Sequence, residues 1–225
     1  MASVKTFTLP HYEAYPVHVA LFTDVTNAPF LRSQLLDANP DFDYAFLDAS
    51  MILSPSHLLS ATFLALHTFL SAPTRKKTRT PHSELVFRLS PNNNIGESYK
   101  KFGIADNTAN VIAVKLPLCP STSTSQDASS EGNGYEKDEA ITAESVGKHL
   151  GDVVKGTSVG LREDGDELGA WCDVEKVRKV YKLGGGEGQK GKKSGVANGH
   201  GEEKEGEEKK EMESVILGTI ALKGS

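Results

Sequence analysis

Residues 76–107 read KKTRTPHSELVFRLSPNNNIGESYKKFGIADN, and the fold class turns on how this stretch divides into elements. Arg75, Lys76, Lys77 and Arg79 crowd positive charge at its start. Leu85, Phe87 and Leu89 then alternate with Glu84, Val86 and Arg88, the two-residue period of a strand with one wetter face. A polar turn of Asn92, Asn93 and Asn94 follows, and Asn94 stands three residues before Glu97, a variant of the capping box that starts a helix at Ile95. Lys100 and Lys101 fall in its last turn, where the helix dipole favours cations. Gly103 is then expected to take the left-handed conformation, with Ile104 reaching back to Tyr99 as the apolar contact of a Schellman-type stop. The stretch is predicted as basic loop, strand, polar turn and short capped helix.

Towards the N-terminus, Val17, Val19 and Leu21 alternate with His18 and Ala20, which reads as a strand. Asn27 followed by Ala28 and Pro29 is a helix start, with Phe30, Leu31, Leu35 and Leu36 at helical spacing behind it. Residues 44–47 form a second short apolar strand. Ser54-Pro55 repeats the start signal, and Leu59, Phe63, Leu66 and Leu70 recur at i, i+4, i+7 and i+11, a stripe expected on the core side of a long helix. Towards the C-terminus, residues 111–116 are an apolar run suited to a strand buried on both faces. Ile141, Val146, Leu150, Val153 and Val154 return to helical spacing, residues 157–161 are a candidate brief strand, and Asp173 can cap a helix through Tyr181. Met212, Val215, Ile216, Ile220 and Leu222 restore helical spacing at the end, which implies that the tail docks on the body or on a partner.

Hydrophobic residues make up 38% of the 225, below the usual globular share, so part of the chain is expected outside the packed body. Two low-complexity stretches account for it: a Ser-, Gly- and acid-rich insertion at 118–137, and a Gly/Lys/Glu-rich insertion at 184–210 with almost nothing apolar to offset the entropy of ordering. The expected architecture is α/β (α+β): a single domain over 1–225, one mixed sheet packed by helices, with two disordered insertions.

The formal net charge of -5 gives no electrostatic case for wrapping nucleic acid with the whole surface, so any RNA contact must be a local patch. Cys119 and Cys172 lie far apart without zinc-ligand spacing, and no metal or other cofactor is expected. No apolar run is long enough to span a bilayer and the N-terminus lacks the h-region of a signal peptide, so a soluble intracellular protein is expected. The common nucleotide, nucleophile-elbow and zinc-protease motifs are missing. His57 and His67 on the long helix are read as satisfied polar-face residues. Two features have a physical function open to them. The Asn92–Asn94 turn precedes a helix N-terminus, which suits a phosphate or serves only as cap and turn. The basic loop offers a few phosphate contacts or is a solvated loop.

On these same residues the sequence resembles the PRPK-binding protein family, the small subunit of the KEOPS/EKC complex. Residues 76–107 are similar to the family's central segment, and VALFTDVTNAPFLRSQ from Val19, EKVRKVYKL from Glu175 and the final helix with its LKG ending agree with it. The resemblance implies a non-catalytic adaptor. It would bind the kinase-like subunit of the complex and the 3′ CCA end of tRNA, in support of threonylcarbamoyladenosine formation in tRNAs reading codons that begin with A. The threonylcarbamoyl-transferring subunit would be an indirect partner. A nuclear and cytoplasmic location, with a link to telomeric chromatin, is also implied. Carried onto this sequence, the resemblance assigns Lys76, Lys77, Arg79, Asn92, Asn93 and Asn94 to tRNA. It assigns Val180, Tyr181, Ile216, Leu217, Ile220 and Leu222 to the kinase. A stand-alone RNA-binding protein and a small phosphate-binding enzyme are the alternatives.

Overall fold

The computed structural model describes residues 1–121, 134–183 and 201–224. Its centre is β2 (Val17–Thr23), paired on one side with β4 (Val111–Lys115), and on the other with β1 (Lys5–Phe7) and β7 (Thr157–Val159). β3 (Ala45–Asp48) closes the far edge against β4. Every described pairing is antiparallel, where a mixed sheet was expected. Side chains alternate across the sheet. Val17, Val19, Leu21, Leu47, Ile112 and Val114 enter one buried cluster, whereas Ala20, Phe22, Phe46, Val111 and Ala113 enter a second. A sheet with both faces buried needs a helical layer on each side.

The thinner layer is α1 (Ala28–Leu36) and α5 (Ala143–Val153). Asn27 makes no side-chain cap bond to α1. Its amide donates to the Val153 carbonyl at 2.8 Å and accepts from the Lys155 N–H at 2.9 Å, tying α1 to the end of α5. Leu31 is buried, but Phe30 and Leu36 stay exposed.

The thicker layer holds α2 (Pro55–Leu70), α3 (Pro81–Leu89), α4 (Ile95–Phe102), α6 (Val174–Tyr181) and α7 (Gly201–Gly224). Residues 81–89, expected as a strand, are the helix α3. Thr80 accepts a bond from the Ser83 N–H and Pro81 occupies the first turn, the same start signal that opens α2. All residues of α3 except Ser83 are buried, so no exposed face marks a 3.6-residue period in its sequence. His82 locks the helix to the sheet, accepting the Leu116 N–H at Nε2 (2.9 Å) with Nδ1 3.0 Å from Asp43 Oδ1.

The stripe expected on α2 is rotated. His57, Leu58, Ala61, Thr62, Ala65, Leu66, Thr68 and Phe69 are its buried positions, while Leu59, Phe63 and Leu70 are only half-buried. α4 begins at Asn94 as expected, but Gly103 has φ −74° and is not left-handed. A side chain there would place its Cβ 2.7 Å from the Tyr99 carbonyl, so glycine serves a close backbone approach. Ile104 lies in the second cluster rather than against Tyr99.

The ends of the 118–137 insertion pair as a ribbon, β5 (Leu118–Pro120) with β6 (Tyr135–Lys137); residues 122–133 lie outside the described residues. Of the 184–210 insertion, residues 184–200 lie outside the described residues, and residues 201–210, expected to be disordered, belong to α7. Met212, Ile216 and Ile220 bury one face of α7 in the main core, which contributes about 1.5–3 kcal/mol per side chain.

Candidate interaction surfaces

The basic loop is shaped from beneath by one buried carboxylate. Glu84 Oε2 accepts the Lys77 N–H (3.1 Å), the Thr78 N–H (3.1 Å) and the Thr78 hydroxyl (2.8 Å). This turns the loop backbone inward and leaves Lys76, Lys77 and Arg79 exposed. Tyr135 of β6 props the outside, donating to the Arg79 carbonyl at 2.8 Å with its ring edge-on to Phe69. The same Phe69 ring lies 5.7 Å from Lys76 Nζ.

Glu84 Oε1 carries the network on to Arg88 Nε at 2.8 Å, an i, i+4 pair that is almost completely buried. Arg88 then donates to Thr68 Oγ1 (3.0 Å) and to the Lys223 carbonyl (2.8 Å). Lys223, in the last turn of α7, donates its ammonium to the carbonyls of Phe87, Ser90 and Asn92, the latter two at 2.7 Å. Three protons meet three acceptors. Burial and the neighbouring Arg88 lower the Lys223 pKa to about 8, with Glu84 acting in the opposite direction.

The Asn turn is thus held through its own backbone. The Asn94 N–H donates to Asn92 Oδ1 (3.1 Å), and Asn94 Oδ1 accepts the Glu97 N–H (3.0 Å). A first-turn N–H that could serve a phosphate is already taken, and the Glu97 carboxylate stands in that turn beside Lys100. Asn93 and Asn94 are exposed and Asn92 is half-buried. Loop and turn lie at opposite ends of α3, roughly 13 Å apart along a nine-residue helix.

The residues assigned to the kinase do not share one surface. Ile216 and Ile220 are core residues, and Val180 is half-buried. Tyr181 is also interior: His57 Nε2 meets its hydroxyl at 2.9 Å, and that hydroxyl donates to the Leu89 carbonyl. His57, expected on a polar face, is fully buried. Leu222 is exposed, and Leu217 is half-buried at the rim of an open apolar groove of about 630 Å³. Its lining combines Thr8, Leu9 and Pro10 with Leu59, Phe63 and Leu64 of α2 and Leu217, Ile220 and Ala221 of α7. Leu59 and Phe63, read as core from their spacing, are groove residues. Their signal was the spread of leucine and phenylalanine around α2, too broad for a single core stripe.

A family model described as kinase binding protein CGI-121 matches residues 22–224, from β2 to the end of α7. The chain belongs to the CGI-121 kinase-binding family. Similar proteins of the CGI-121 family include the EKC/KEOPS complex subunit CGI121 of Phaeosphaeria nodorum. That relative is 62% identical over 242 residues, covering 99% of this chain and all of the relative. The Aspergillus terreus subunit of the same name is 41% identical over all of this chain and 98% of its own length. The Schizosaccharomyces pombe subunit is 30% identical over 78% of this chain and 86% of its own. The CGI-121 match takes in the basic loop, the Asn turn and the α2 and α7 sides of the groove, and leaves out Thr8, Leu9 and Pro10. Among the described residues no group of His, Cys, Asp or Glu could hold a metal ion, and no helix is long and apolar enough to cross a membrane.

Proposed function

We propose that this chain is a non-catalytic adaptor subunit of an EKC/KEOPS complex, seating the kinase-like subunit in the α2/α7 groove and the 3′ end of tRNA on the basic loop and Asn turn. The observation that carries the kinase half is the groove itself. It is open, its lining is apolar, and it is bounded by the helix whose buried face has already satisfied the core. An apolar recess of this kind supports a protein interface, in which a few large side chains supply most of the binding energy. Relatives carry the name of complex subunits, and the family carries the name of kinase binder. The tRNA half is supported by four cations, Arg75, Lys76, Lys77 and Arg79, on a loop whose backbone is fixed by Glu84. Support of threonylcarbamoyladenosine formation follows from holding both partners at once.

Leu59→Glu combined with Leu217→Glu tests the interface, because both residues line the groove and neither is a core anchor. Co-purification with the kinase-like subunit is expected to be lost while circular dichroism and tRNA binding are kept. A double variant that still elutes with the kinase would place the interface elsewhere.

A further inference from the structure

Arg88 and Lys223 belong to neither proposed contact surface, yet the polar chain that contains them joins the two parts of the tRNA surface, the basic loop and the Asn turn. Two cations in a half-buried to buried site require compensation. Glu84 answers Arg88, and the acceptors the structure gives to the Lys223 ammonium are three main-chain carbonyls at the end of α3 and in the turn after it. The Phe87 ring adds a further contact, 3.5 Å from Lys223 Nζ. Surface solvation would be available to a lysine at a helix end, so its engagement with Ser90 and Asn92 fixes the path of the chain entering the Asn turn. The lysine also stands just beyond Ile220 and Ala221, which wall the apolar groove.

We propose that Lys223 is a positioning residue for tRNA, holding the Asn92–Asn94 turn in its recognition geometry from the last turn of the helix that walls the kinase groove. This rests on the adaptor reading above. Lys223 itself touches no tRNA; it acts through the carbonyls of Ser90 and Asn92. Because Arg88 donates to the Lys223 carbonyl and shares Glu84 with Thr78, the same chain keeps the turn in register with the basic loop.

The test uses the full chain with Lys223→Met, which keeps an apolar stem and removes the donors, and Lys223→Arg, which keeps charge and donors. Amide hydrogen exchange at residues 92–95 is expected to rise roughly tenfold or more in Lys223→Met, as a locally held segment loses its anchor. tRNA affinity should fall about three- to tenfold through the added ordering cost. The salt slope and kinase binding should stay unchanged, and Lys223→Arg should recover part of the protection. In the wild-type chain the Lys223 ammonium protons should exchange slowly by NMR, a reading that needs no variant to fold. Unchanged exchange at residues 92–95, a salt slope that drops by about 0.7 as for a direct phosphate contact, or ammonium protons like those of a surface lysine would each overturn the proposal. A wild-type chain with no tRNA affinity would instead overturn the adaptor reading, while the exchange data still judge the turn.

Discussion

Each polar atom of the His57 ring is committed to one role. The Leu53 N–H donates to Nδ1 at 3.2 Å, so the ring proton sits on Nε2 and points at the Tyr181 hydroxyl, which in turn donates its hydrogen bond to the Leu89 carbonyl. A second ring proton would confront the Leu53 N–H inside a sealed core. Burial accordingly pushes the His57 pKa down to about 3 from an ordinary 6.5. The folded state holds the ring neutral while the unfolded chain takes up a proton below pH 6.5, so stability is complete above that pH and declines as pH falls towards 3. The slope from this group reaches about 1.4 kcal/mol per pH unit. Urea unfolding at pH 7 and pH 5 should therefore give a smaller difference for His57→Gln than for the wild type. Equal differences would refute the assignment.

At the scale of elements, α3 is decided by its start signal and an i, i+4 pair and not by its apolar alternation. The alternation of Leu85, Phe87 and Leu89 suits a strand, but Thr80-Pro81 satisfies the start of a helix and the Glu84–Arg88 pair needs the i, i+4 spacing only a helix provides. Thr80→Ala is expected to cost about 1 kcal/mol through loss of the cap, read as a lower denaturation midpoint with unchanged m-value. A substitution without effect would mean that the cap bond to the Ser83 N–H is not made in solution. α4 and α6 were readable for the same reason: Asn94 and Asp173 both accept the third N–H of the helix they begin. For α7 the sequence located the apolar spacing but could not assign its faces, because core and partner surfaces draw on the same residue types.

For the whole molecule, a two-faced sheet places α2, α3 and α7 together in one layer, and this brings the groove, the basic loop and the Asn turn onto connected elements. The charge of the chain is slightly negative, so under the adaptor reading any attraction to RNA must come from a local basic patch, for which the loop is the candidate. Replacing Lys76, Lys77 and Arg79 together by Ala should lower the magnitude of the salt slope of tRNA binding by about 2, at roughly 0.7 for each phosphate no longer neutralised. Thermal unfolding should hardly change, since these side chains are exposed. An unchanged slope would remove the loop from the tRNA surface.

Local chemistry is what the sequence determined unaided: where α1, α2, α4 and α6 begin, where β2, β3 and β4 run, which loop is basic and which turn is polar. These depend on neighbours a few residues away, through capping bonds and side-chain periodicity. Only the tertiary structure decided that residues 81–89 are helical, that Tyr181, Ile216 and Ile220 face inward, and that Glu84, Arg88 and Lys223 form one polar chain. A buried segment has no polar face to reveal its period, and Arg88 and Lys223 meet across 135 positions of sequence. Which of several apolar or charged surfaces is covered is fixed by packing between distant elements, and nothing in the local spacing records it.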